Sequence, residues 1–163
     1  MIMIMKKAKK FSGFTLIELI VVIAILAILA AILVPSMLTY VKNAKISQYN
    51  SNAKSIYSGA QLAITDVIKA GDTVEPDTVY MCSAKGSGVC IADGGTEQCD
   101  ITDYLGENFD GYFGFMTDSG GTGCVYAIWS DKQLTASDIQ TQLSLDDVKN
   151  GFDTNPRGCH PLL

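Results

Sequence analysis

Apolar and polar positions divide the chain into three textures. From Leu19 to Val34 every residue is Ala, Leu, Ile or Val. Adding Phe14 to Ile17 brings the apolar run to about 20 residues, the length that crosses a bilayer core as a helix. Past Pro35 the pattern becomes amphipathic. Leu38, Val41, Tyr49, Ala53, Ile56, Ala60, Ile64 and Val67 recur at spacings near three and four, and Lys42, Asn43, Lys45, Gln48, Asn50, Asn52, Lys54 and Ser55 fill the other faces. Heptad regularity is poor, which disfavours a coiled coil. Pro35 removes the N–H that would bond the Ala31 carbonyl, so a kink is expected there. The helix is predicted to end near Ala70-Gly71, with Pro76 beyond it. From Phe14 that makes about 57 residues, or roughly 85 Å. Such a helix outruns any bilayer, so its second half must pack on a water-soluble domain.

From Asp72 onward glycine is frequent and helical periodicity disappears. Thr78-Val79-Tyr80-Met81-Cys82 and Val89-Cys90-Ile91 predict short strands. A hairpin is predicted to join residues 111–116 to 124–129 through the turn-forming run Asp118-Ser119-Gly120-Gly121-Thr122-Gly123. Thr135 to Leu143 reads as a short helix. Ser144-Leu145-Asp146-Asp147 opens another with a capping-box pattern, closed by Asn150-Gly151. The tail from Asn155 to Pro161 reads as irregular. The fold class is therefore α+β: a long N-terminal helix, with a transmembrane half and an amphipathic half, packed on a small antiparallel sheet with irregular loops. The expected boundaries are a leader over 1–13, a membrane half over 14–34, an amphipathic half over 35–70 and a β-rich head over 71–163.

Charge gives this organisation a direction. Lys6, Lys7, Lys9 and Lys10 form a positive patch that holds this end in the cytoplasm, which puts everything after Val34 outside. The small residue Gly13 lies before the apolar run, not after it as in a secretory signal. A cut after Gly13 removes the basic leader and keeps the hydrophobic helix. It also removes four of the 12 basic residues, leaving 8 against 17 acids, or −9 on side chains. Such an acidic head is a poor phosphate-neutralising surface, and no nucleic acid is expected as a partner. Glu18 stands at the start of the apolar run, where a carboxylate costs roughly 2.5–3.5 kcal/mol to insert and so has a partner or a function.

The run Lys9-Lys10-Phe11-Ser12-Gly13-Phe14-Thr15-Leu16-Ile17-Glu18, with a long apolar helix up to Pro35, resembles type IV pilins and pseudopilins. The likeness covers residues 6–35 and departs from the family at Ala27, where a glycine is often found. It implies that a membrane-embedded prepilin peptidase cuts after Gly13 and N-methylates Phe14. It also implies that Glu18 pairs with the terminal amine of a neighbouring subunit as identical subunits enter a helical filament. An assembly platform and its ATPase would be further partners. The precursor and subunit pool would lie in the cytoplasmic membrane, and the filament would be extracellular. The leading expectation is thus a non-enzymatic structural subunit of a type IV pilus. Its alternatives are a pseudopilin of a secretion or DNA-uptake system, a minor tip pilin, or an exported binding module or enzyme on an uncleaved anchor.

Five cysteines, Cys82, Cys90, Cys99, Cys124 and Cys159, all lie in the exported part and are disulfide candidates. Cys82 and Cys90 flank a short Gly-rich loop and are placed to close it. The resemblance implies a C-terminal staple, which here would be Cys124–Cys159. Connectivity stays open, and the odd count leaves one thiol over. No metal or cofactor is expected. There is no Cys-x-x-Cys, His160 is the only histidine, and Asp93, Asp100, Asp103, Asp110, Asp118 and Asp131 fall in no EF-hand pattern. No catalytic motif appears. Tyr112, Phe113, Phe115, Tyr126 and Trp129 read as core aromatics in preference to a sugar-binding face.

Overall fold

The computed structural model describes residues 13–82, 85–95, 98–105 and 109–162. The basic leader lies outside them, apart from Gly13. The chain divides into two compact units, one ending at Val41 and the other beginning at Lys42. The first consists of the N-terminal part of helix α1, Leu16–Ala70, a helix of 55 residues. Each residue from Gly13 to Val41 is exposed, and this helix is long and apolar enough to cross a membrane. Pro35 sits inside α1 without ending it. Downstream of the missing N–H, Ser36 Oγ donates to the Leu33 carbonyl at 2.9 Å. The helix starts two residues later than the pattern predicts, because Thr15 caps it.

At its other end α1 stops where the sequence places the stop. Gly71 has φ +92°, a conformation that costs glycine nothing. The Gly71 N–H donates to the Ile68 carbonyl at 3.1 Å and the Asp72 N–H to Val67 at 3.2 Å. Together these two bonds form a Schellman closure.

In the second unit, six antiparallel strands form one sheet: β1 Val79–Cys82, β2 Val89–Ala92, β3 Gln98–Asp100, β4 Tyr112–Thr117, β5 Cys124–Ser130 and β6 Arg157–His160. Their spatial order is β3-β2-β1-β4-β5-β6. A 3-10 turn spans Thr102–Tyr104, and two short helices follow β5, α2 Ala136–Ile139 and α3 Leu145–Gly151. The hairpin forms as predicted, with a register shift between Met116 and Thr117. Some elements differ from expectation, beginning with the helix predicted from Thr135 to Leu143, which spans only Ala136–Ile139. β3 carries one apolar residue between Gln98 and Asp100 and offers no strand signal. The tail taken as irregular is β6, paired to β5 with Cys159 opposite Ile128. Its sequence, Arg157-Gly158-Cys159-His160, has no β-branched residue, so tertiary contacts supply what propensity lacks.

Those contacts come from α1. Gly158 brings β6 so close that an added Cβ would lie 2.2 Å from the Tyr49 carbonyl carbon and oxygen. Asn50 Oδ1 accepts the Cys159 N–H at 3.1 Å, and Gln61 Oε1 accepts the Cys124 N–H at 2.9 Å. Two amides on one helix thereby tie down both outer strands on that side of the sheet.

The core follows strand alternation. Ala53, Ile56, Ala60, Ala63 and Ile64 of α1 pack with Tyr80, Cys90, Cys99, Phe113, Phe115, Ala127 and Trp129 on one face. On the other face Val79, Tyr126, Ile128 and Cys159 pack with Leu134 and Ile139. A third cluster joins Ile46 to Val148 and Phe152 of the α3 region. Of the apolar stripe predicted along α1, Ala53, Ile56, Ala60 and Ile64 are buried and Tyr49 and Val67 half-buried, whereas Leu38 and Val41 remain exposed. Of the predicted core aromatics, Phe113, Phe115, Tyr126 and Trp129 are buried.

Two predictions follow from this packing. Gly158→Ala should destabilise the second unit by ~1–3 kcal/mol, because the new methyl meets backbone and not a flexible side chain. Gly151→Ala, with open space around it, should be neutral or mildly stabilising. Urea unfolding of the full chain in detergent separates the two.

The second concerns pH. Asp118 is held below the usual Asp value of 3.8 by hydrogen bonds from the Thr122 hydroxyl and N–H, and Asp147 by those from Ser144. The unfolded chain binds these protons more readily, so this stabilisation is present above about pH 4 and lost as pH falls below it. Burial raises Cys99 to about 11 and Cys124 to about 12, so stability should also decline as pH rises past the ordinary thiol value of 9.0. The unfolding midpoint of the reduced chain should thus fall at both ends of a pH series. A midpoint that rises on acidification would contradict the carboxylate account.

Candidate functional site

The residues that the sequence singles out around the apolar run all lie at the start of the first unit. Gly13 is exposed, and a Cβ built on it meets nothing within 4 Å. Phe14 is 92% exposed, so the Gly13–Phe14 bond stands on open backbone. Phe14, Ile17, Glu18, Val21 and Val22 line one shallow apolar groove.

The helix begins here for a local reason. Thr15 and Glu18 satisfy each other as a capping box. The Thr15 N–H donates to Glu18 Oε2 at 2.8 Å, the Thr15 hydroxyl donates to the same oxygen at 2.7 Å, and the Glu18 N–H donates to Thr15 Oγ at 3.3 Å. Reading Glu18 only as an assembly residue missed this, although the signal is in the sequence: Thr-x-x-Glu before an apolar run. Within one chain the carboxylate therefore already has a partner. Among the described residues Thr15 bonds this carboxylate, and the apolar face around it is exposed.

The cysteines do not join this site. All five are free thiols in this structure. The expected Cys124–Cys159 pairing does not fit the sheet. Cys124 packs on the face that receives α1, and Cys159 packs on the opposite face with Tyr126 and Ile128. Cys82, Cys90 and Cys99 form a separate row across β1, β2 and β3, with Cys82 opposite Cys90 and Cys90 opposite Cys99.

The aspartates serve turns and caps. Asp100 Oδ1 accepts the Thr102 N–H at 2.9 Å, and Asp118 Oδ1 accepts the Thr122 N–H at 2.6 Å. Among the described residues no three His, Cys, Asp or Glu side chains converge as a metal site would require. His160 sits at the end of β6 with its ring edge-on to Tyr57, 5.2 Å between centroids. A cleft of about 430 Å³ in the second unit is lined by Lys45, Tyr49, Lys85, Asp110, Trp129 and Asp131 among others. Within it Lys85 Nζ pairs with Asp110 at 3.0 Å, and the Tyr49 hydroxyl donates to Asp131 at 3.2 Å.

No curated protein and no solved structure matches the chain. Residues 8–34 do match a family model, that of the prokaryotic N-terminal methylation motif. This motif is a structural signal segment and not an enzyme family, and with the apolar helix it fits a membrane-anchored precursor. The match spans the residues whose geometry has just been described: the open Gly13–Phe14 bond, the Thr15–Glu18 cap and the uncovered apolar helix. The chain carries, at its N-terminus, the class III signal peptide of type IV pilins and pseudopilins.

Proposed function

We propose that the chain is a structural subunit of a type IV pilus, without catalytic activity of its own. The observation that carries this reading is the methylation motif on an apolar helix whose surface stays uncovered from Gly13 to Val41. In this account a prepilin peptidase cuts after Gly13 and methylates the Phe14 amine. The mature helix rests in the membrane until an assembly platform, driven by its ATPase, lifts it into a growing fibre. There lipid contact is exchanged for contact between helices of identical subunits. Glu18 trades part of its Thr15 cap for the positive Phe14 amine of a neighbour. In a low-dielectric setting that pairing is strong enough to set the register, although desolvation offsets part of it. The head, residues 71–163, then decorates the outside of the fibre.

Mass spectrometry of sheared surface material should find chains that begin at N-methyl-Phe14. An intact leader on the mature protein would overturn the pilin reading. Gly13→Val should leave the precursor uncut in the membrane.

Glu18→Ala isolates the assembly step. It should be cut normally and should insert at least as well as the parent, because a costly carboxylate has gone. The substitution removes the Glu18 half of the capping box but keeps the residue-18 N–H that donates to Thr15 Oγ. Filaments counted by microscopy at matched membrane levels should nevertheless be few or absent. Normal piliation would mean that apolar packing sets the register and the carboxylate is incidental. Surface fibres that appear only on overproduction would favour the pseudopilin alternative over a pilus.

A further inference from the structure

The row of thiols across β1, β2 and β3 has chemistry that the filament reading does not use. Cys82, Cys90 and Cys99 occupy directly opposed positions on three neighbouring strands, and all three pack on the face that receives α1. Cys90 lies between the other two, so it can bond only one of them at a time.

The hydrogen-bond phase of the sheet distinguishes the two choices. The Asp93 N–H donates to the Val79 carbonyl at 2.8 Å, which makes Val79 and Asp93 a hydrogen-bonded pair. Counting two residues along, Met81 and Ile91 form the next such pair, so Cys82 and Cys90 face each other in a non-hydrogen-bonded position. Across the other edge of β2, the Ile101 N–H donates to the Gly88 carbonyl at 3.0 Å. The same count makes Cys90 and Cys99 a hydrogen-bonded pair. Opposed α-carbons are about 4.5 Å apart in the first kind of pair and about 5.5 Å in the second, and the side chains are closer in the first. A disulfide needs its β-carbons only ~3.5–4.5 Å apart, a demand that the closer pair meets and the wider pair strains.

Access points the same way. Cys82 is the half-buried one of the three. The Phe113 N–H donates to its sulfur at 3.1 Å. Cys90 and Cys99 are buried.

We propose that Cys82 and Cys90 are a cross-strand disulfide site, with Cys82 the entry thiol, and that Cys99, Cys124 and Cys159 remain thiols. The oxidant is a disulfide donor, either a small disulfide or a thiol–disulfide oxidoreductase outside the membrane. The Cys82 thiolate attacks one donor sulfur, the donor S–S bond breaks, and one donor thiolate leaves. The Cys90 thiolate then attacks the Cys82 sulfur of this mixed disulfide and expels the second donor thiolate. Two cysteine thiols are oxidised, one donor disulfide is reduced, and the two protons pass to the departing thiolates. Burial pushes the Cys90 thiol well above the ordinary thiol value, which makes this second step the slower one. The bond joins β1 to β2 and leaves β3 without a covalent tie.

The test uses the full chain in detergent, reduced, desalted and exposed to oxidised glutathione at mildly alkaline pH. Samples are blocked with an alkylating agent before and after unfolding and are then mapped by mass spectrometry. Two thiols per chain should disappear, joined as Cys82–Cys90, with the other three alkylated only after unfolding. Cys99→Ala should leave the rate within about two-fold, whereas Cys82→Ala should slow oxidation of Cys90 by about ten-fold or more. A Cys90–Cys99 bond in the parent chain would overturn the proposal. So would a glutathione adduct that persists on Cys82, or five thiols left unchanged. The map of the parent chain decides the matter even if a variant folds poorly, and the outcome is independent of whether the chain forms filaments.

Discussion

An apolar helix surface in water has to be covered by something. From Leu16 to Val41 this chain presents one that its own residues leave exposed, with Ile32 at 71% and Leu38 at 67%. Lipid can cover it, and so can copies of the same helix. Hydrocarbon offers no hydrophobic advantage over a leucine-rich neighbour, so passage between the two states turns on packing and on the few polar groups present. Glu18 is the charged one. Its capping box with Thr15 lets the carboxylate exist at the helix start without a partner from outside, which is the condition a subunit waiting in a membrane must meet. In the proposed assembly this carboxylate meets the Phe14 amine of a neighbouring subunit.

The second unit solves a different problem with the same helix. Its burial against the sheet relies on small residues, Ala53, Gly59, Ala60 and Ala63, which let strands approach closely. Close approach would strand backbone donors at the sheet margin, and the helix answers with Asn50 and Gln61. A stripe of purely apolar residues would bury as much area without fixing where β5 begins or where β6 docks. These two amides do that, and buried polar groups are costly unless so paired.

Much of this was legible in the residues. The unbroken run to Val34, the Gly71 stop, the hairpin around Asp118 to Gly123 and the capping box at Ser144 and Asp147 are local signals, and the structure keeps them. What escaped was set by tertiary contact. β6 has the composition of a loop and becomes a strand because β5 and Asn50 satisfy it. β3 is three residues at a sheet edge around a single cysteine. The Cys124–Cys159 staple came from the family resemblance alone, and which face each residue takes depends on a register shift that no spacing rule reveals. The Thr15 cap is legible as Thr-x-x-Glu before an apolar run.

The central claim is that the exposed helix is an assembly surface and that Glu18 is the charge that registers it. Helical reconstruction of sheared surface fibres from cells making this chain tests it most directly. The account predicts that residues 14–41 of many copies form the fibre core, with each Glu18 carboxylate within hydrogen-bonding distance of a Phe14 amine from another copy. Fibres that lack this chain, or that contain it with Glu18 bonded only to its own Thr15, would contradict the account.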